Sequence, residues 1–99
     1  MTAFRIALQD GFEGDTVVVK VNGKEVFKQE NVKTKRQIGK AASVEVEVEE
    51  GSANVEISLP LKNLSETIAV KVSGEVYLGV SVVENKVEHK VSSEPFRYA

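Results

Sequence analysis

Apolar and polar residues alternate along most of this 99-residue chain. The clearest example is positions 44 to 48, where three valines are separated by Glu45 and Glu47. A period of two is typical of β-strands that bury one face and expose the other. The alternation predicts about eight short strands, near residues 4–8, 17–21, 25–29, 44–48, 55–59, 68–72, 76–82 and 87–91.

Turn-forming residues separate these segments at the spacing of roughly 8 to 12 residues that is typical of sandwiches and small barrels. We therefore predict an all-β fold: an antiparallel β-sandwich of about seven or eight strands with Greek-key connections. One domain is expected over residues 1–99, with 92–99 as a C-terminal tail. This layout is similar to immunoglobulin-like and transthyretin-like modules, although the buried tryptophan and cysteine pair of antibody domains are absent.

Asn22 and Gly23 predict a two-residue type I′ turn between two of the strands. A three-residue turn would set Lys20 opposite Lys24, and like charges facing each other across strands are destabilising. The expected cross-strand pairs are therefore Val21 with Lys24, Lys20 with Glu25, and Val19 with Val26.

Gly74 predicts a second hairpin, with a three-residue loop in which the glycine is left-handed. A two-residue loop would place the apolar side chains of one strand on the wrong face of the other. The expected pairs are Val70 with Val76, Ile68 with Leu78, and Lys71 with Glu75.

Five residues are predicted to lie in the core, because each sits in the middle of a strand on its apolar side. They are Val19, Val46, Ile57, Val70 and Leu78.

The composition narrows the possible functions. The chain has no cysteine, which excludes disulfides, thiolate metal sites and a catalytic thiol. No apolar run approaches the ~20 residues that span a bilayer, and the N-terminus lacks the charged and apolar regions of a signal peptide. A formal net charge of -2 argues against a general nucleic-acid binder. We expect a soluble protein that binds neither nucleic acid nor membrane.

The residues needed for catalysis are scarce. His89 is the single histidine, and Asp10 and Asp15 are the two aspartates. No Gly-x-Ser-x-Gly motif occurs, and the glutamates near position 47 alternate with apolar residues, as on a solvated strand face. We predict a protein that is not an enzyme and needs no cofactor, with His89 neither catalytic nor a metal ligand.

Two small-ligand sites are alternatives. The segment DGFEGD at 10–15 carries oxygen ligands suited to calcium, although it does not follow the EF-hand pattern. A plain turn with Phe12 folded onto the sandwich edge is the simpler interpretation. Tyr77 projects from the face opposite its apolar neighbours, where it would offer carbohydrate one aromatic ring.

Two segments are not explained by the predicted fold. Residues 33–40 hold four positive charges and no acid, whereas 41–58 hold five glutamates and no base. The tail ends in Pro-Phe-Arg-Tyr-Ala, which carries two of the six aromatic residues. We predict a non-catalytic interaction or accessory module whose partner is a protein with an acidic surface. The candidate binding residues are Lys33, Lys35, Arg36, Lys40, Phe96, Arg97 and Tyr98.

Overall fold

The computed structural model describes residues 2–35 and 39–94, which form strands joined by short connections. A single 3-10 turn, Pro60–Lys62, interrupts this pattern. The strands are β1 (Thr2–Leu8), β2 (Glu13–Val21), β3 (Lys24–Lys33), β4 (Ala42–Val48), β5 (Gly51–Leu59), β6 (Leu64–Val72), β7 (Val76–Val83) and β8 (Lys86–Ser92).

The strands form two four-stranded sheets, in the orders β4-β1-β7-β8 and β3-β2-β5-β6. The inner faces of both sheets contribute to one cluster of buried apolar side chains. The predicted strands and the all-β sandwich are thus confirmed. Alternation was a reliable guide because strands such as β2, β5 and β6 are buried on one face and exposed on the other.

One pair of strands departs from the antiparallel prediction. β1 runs parallel to β7, with Phe4 opposite Val76 and Ile6 opposite Leu78. Parallel neighbours need a long connection, and here β2 to β6 supply it. β4 returns to lie antiparallel beside β1, as the returning strand of a Greek key does. The similarity to immunoglobulin-like or transthyretin-like modules stays a prediction.

The turn between β2 and β3 has the predicted form. Asn22 and Gly23 both have positive φ, 51° and 82°, as a type I′ turn requires. Two predicted pairs are confirmed, Val21 with Lys24 and Lys20 with Glu25. The third is wrong: Val19 lies opposite Phe27, because a bulge makes Val26 an extra residue in the strand.

The predicted hairpin between β6 and β7 is also wrong, although Gly74 does have a positive φ of 75°. Val70 pairs with Ala53 of β5, while Leu78 pairs with Ile6 of β1 and with Val91 of β8. The loop at 73–75 therefore carries the chain from one sheet to the other. None of the three predicted pairs forms: these were Val70 with Val76, Ile68 with Leu78, and Lys71 with Glu75.

Four of the five predicted core residues are fully buried, namely Val19, Ile57, Val70 and Leu78. The prediction for Val46 is wrong, since this side chain is half-buried. It lies on β4, an edge strand, and lines an open concavity of about 620 Å³ together with Val26 of β3. The edge strands β3 and β4 leave this concavity open to solvent.

The connections divide between two ends of the sandwich. Antiparallel and parallel registers place the β1–β2, β3–β4, β5–β6 and β7–β8 connections at one end, which we call the loop end. The turns at 22–23, 49–50 and 73–75 lie at the other, which we call the turn end. The domain measures 33 × 30 × 20 Å.

Candidate functional site

The described parts of the basic segment, residues 33–35 and 39–40, lie at the loop end, and we call residues 33–40 the basic loop. Lys33 is the last residue of β3. The Lys35 amide donates to the Lys40 carbonyl at 3.0 Å, and the Gly39 amide donates to the Lys35 carbonyl at 2.8 Å. These bonds fix where the loop leaves the sandwich and where it returns. Arg36, also predicted to bind, lies outside the described residues.

Thr34 anchors the basic loop to the β1–β2 connection. Its hydroxyl donates to the Gln9 carbonyl at 2.6 Å and accepts from the Phe12 amide at 3.1 Å. Its own amide donates to the Phe12 carbonyl at 2.9 Å. Phe12 is buried in the core, which confirms that it folds back onto the sandwich. On the other side, Ala41 donates to the Leu8 carbonyl at 2.7 Å.

Two cations of the basic loop, Lys33 and Lys35, are not neutralised by the acidic strand that follows. Lys33 and Lys35 are exposed and form no ion pair with any residue in 2–35 or 39–94. Glu13 lies opposite Lys33 in the β2–β3 register, yet the two side chains do not bond. Glu45 of the acidic strand bonds instead to Arg5, at 2.8 Å.

The glutamates of β4 and of the β4–β5 turn lead away from the basic loop. β4 runs from the loop end to the turn end. Glu49 and Glu50 follow it and form the β4–β5 turn at the turn end. At about 3.3 Å per residue, β4 alone separates them from the basic loop by roughly 20 Å. That distance exceeds the screening length of about 8 Å at physiological salt, so the two charged regions act separately.

The described part of the chain ends at the turn end, away from the basic loop. β8 runs from the loop end to the turn end, where Ser92 lies opposite Tyr77. Phe96, Arg97 and Tyr98 lie beyond Glu94, outside the described residues.

The outer face around Tyr77 is occupied by an arginine. Arg5 donates to the Tyr77 hydroxyl at 3.0 Å, and its guanidinium carbon lies 5.2 Å from the centre of the ring. A hydrogen bond to Glu75, at 3.3 Å, raises the pKa of the guanidinium above its ordinary value. Partial desolvation opposes this effect, and the charge of Glu45 adds to it. Arg5 therefore covers the ring that the carbohydrate alternative would use.

The calcium alternative concerns the acidic residues of the segment 10–15. Asp15 is buried, accepts from the Glu13 amide at 3.0 Å, and lies 3.3 Å from the Lys62 ammonium. Within residues 2–35 and 39–94, no three acidic or histidine side chains gather in a way that could hold a metal ion. Asp15 thus binds its own chain, through Lys62.

A concavity of about 580 Å³ beside β7 and β8 was not predicted. It brings Asp10 and Ser81 to one surface, and the edge strand β8 adds His89 to its lining. Gly79 and Gln9 also line it. They are so close that a β-carbon on Gly79 would lie 2.7 Å from the Gln9 side-chain oxygen. A glycine inside a strand is the signal that could have indicated such a close approach. Its lining alone defines no reaction.

Comparison with known proteins provides no functional assignment, because no family model, curated protein or solved structure matches this chain. Within the described part of the chain, no helix is long and apolar enough to cross a bilayer.

Replacing Thr34 with valine is expected to loosen the base of the basic loop. The Phe12 amide and the Gln9 carbonyl would lose their hydroxyl partner, at a cost of about 1 to 3 kcal/mol. Urea denaturation measures the loss, and hydrogen exchange at the Lys35 and Ala41 amides should accelerate. Thr67→Val, at an exposed strand position, is the control and should be near neutral. Equal effects of the two changes would contradict the anchoring role.

Proposed function

We propose that this protein is a non-catalytic interaction module whose basic loop binds an acidic surface of another protein. One observation carries the proposal: Lys33 and Lys35 are exposed and without ion pairs in the described chain, on a loop whose base is hydrogen-bonded in place. Cations held on an ordered base lose less conformational freedom on binding than cations on a flexible segment.

The charge separation supports an oriented encounter. An acidic partner is repelled by the glutamates of β4 and of the β4–β5 turn and is attracted to the basic loop. Complementary fields of this kind increase association rates and select one approach over others. The negative net charge of the chain disfavours a nucleic acid, whose phosphates would meet the glutamates along β4.

Two double variants of equal net charge separate the position of a charge from its amount. Lys33→Gln combined with Lys35→Gln should slow association with an oligoglutamate peptide several-fold and flatten its dependence on salt. Lys28→Gln combined with Lys71→Gln removes the same charge from exposed positions outside the loop and should change the rate little. Stopped-flow fluorescence with a labelled peptide measures both rates, and thermal unfolding checks that both variants fold.

Two results would refute this proposal. The first is an equal loss of rate in the two double variants, because net charge rather than the loop would then control binding. The second is tighter binding to a single-stranded DNA oligonucleotide of equal charge, which would place the partner in another class. Calcium binding at residues 10–15 and carbohydrate binding on an outer sheet face stay separate predictions.

A further inference from the structure

β8 is an edge strand with a partly apolar free side. Its hydrogen-bonded neighbour among the described strands is β7, on one side. Val91 is 52% exposed, which makes it one of three large apolar residues exposed in the described chain. Long edge strands with exposed apolar residues are templates for pairing with another strand.

The two faces of β8 differ in chemistry. Val87, His89 and Val91 lie opposite the buried Val82, Val80 and Leu78 of β7, and therefore share the face that continues the core. Glu88 and Lys90 lie opposite Ser81 and Gly79, on the outer face. Both charged side chains are exposed and form no ion pair with the described chain.

We propose that β8 pairs with β8 of a second copy of this chain, antiparallel, about a two-fold axis through His89. The strand sequence, Lys-Val-Glu-His-Lys-Val-Ser, is complementary to itself in this arrangement. Each Glu88 faces the other copy's Lys90, and each Val87 faces the other copy's Val91. His89 meets its counterpart on the axis, and Lys86 meets Ser92. Opposite charges and apolar pairs across strands both stabilise a sheet.

The register follows from the charges. Centring the pair on Glu88 would oppose two glutamates and set Lys86 against Lys90, whereas centring it on Lys90 would oppose two lysines. The pairing centred on His89 sets no lysine opposite lysine and no glutamate opposite glutamate. It also uses all seven residues of the strand. Registers centred on Val87 or on Val91 would pair three residues of the strand.

The other edge strands are less suited to pairing with themselves. In β4, a pairing centred on Glu45 or on Val46 places glutamate opposite glutamate. β3 is interrupted by bulges, which twist an edge away from a flat partner. In β6, a pairing centred on Ile68 would set Glu66 against the other copy's Val70, which leaves a carboxylate facing an apolar side chain.

The resulting interface is isologous and small. Contact through one strand is expected to bury less than about 1,200 Å², the range of weak and transient complexes. Pairing would join the two β4-β1-β7-β8 sheets into one continuous sheet of eight strands. Because the paired strands are antiparallel, the two loop ends would point in opposite directions.

Charge exchange tests the proposal. Sedimentation equilibrium from about 10 µM to about 1 mM, the range of weak interfaces, should show the mass rising from 10.8 kDa toward twice that value. Glu88→Lys alone sets like charges opposite each other twice and should keep the chain monomeric, as should Lys90→Glu alone. The double variant Glu88→Lys with Lys90→Glu restores complementarity and should dimerise again.

Mixing the two single variants gives the sharpest result. Each alone repels itself, but together they pair lysine with glutamate at both positions, so a heterodimer should form in the mixture. Both positions are exposed, so unfolding temperatures should change little. A wild-type chain that stays monomeric up to the highest concentration would overturn the proposal. So would a dimer that persists in both single variants, or single variants that stay monomeric when mixed.

Discussion

Replacing Gly11 with alanine is expected to destabilise this protein by more than about 3 kcal/mol. Gly11 has a φ of +88°, and a β-carbon built on it would lie 1.9 Å from the backbone oxygen of Val82. The overlap cannot be relieved by rotating a side chain, since the obstacle is the main chain of β7. The Val82 amide also donates to the Asp10 carbonyl at 2.8 Å, which holds the two segments together.

Gly74→Ala is the matched control for this prediction. Gly74 has a similar φ of +75°, but a β-carbon there would meet nothing within 4 Å. Alanine at that site carries only the cost of a left-handed conformation, about 1 to 2 kcal/mol. Urea denaturation measures both losses. If the two variants lose the same stability, the β1–β2 connection does not pack against β7 as described.

Truncating Ile57 or Leu78 to alanine should cost about 2 to 5 kcal/mol each, because both side chains are fully buried. They approach the core from different sheets, β5 and β7, so the pair tests both layers. Each truncation removes apolar contacts and leaves a cavity that the surrounding strands can fill only in part. Chemical denaturation at fixed temperature measures the loss.

Val46→Ala is the control for the core truncations. Val46 occupies an equivalent place in the alternating pattern but is half-buried beside an open concavity. Its truncation should cost clearly less than either of the others. Losses below about 1 kcal/mol at both Ile57 and Leu78 would mean that the inner and outer faces of the strands are assigned the wrong way round.

The strands and their buried faces could be predicted from the sequence because the period of two is a local property. The Asn22–Gly23 turn was predictable for the same reason. The predicted β6–β7 hairpin failed because its evidence was also local. Val70 with Val76 and Ile68 with Leu78 would have matched across a hairpin, but β6 pairs with β5 and β7 pairs with the distant β1. Pairing between distant strands leaves little signal in one sequence.

The basic loop could be found from composition alone, since its lysines lie close enough together to stand out. Its anchoring could not, because Thr34 is an ordinary residue until the fold brings Gln9 and Phe12 beside it. The concavity that contains His89 was missed for the same reason. The self-complementary order of residues in β8 is visible in the sequence, but its meaning depends on that strand lying at an edge.

The most direct test of the proposed function is a map of backbone amide shifts during titration with an oligoglutamate peptide. We expect the shifts to concentrate at Lys33, Lys35 and residues 39–41, to extend to the connected residues 9–12, and to disappear as salt is raised. Little change is expected along β4. Shifts spread evenly over all the lysines, or centred on the turn end, would contradict the proposal that the basic loop is the binding site.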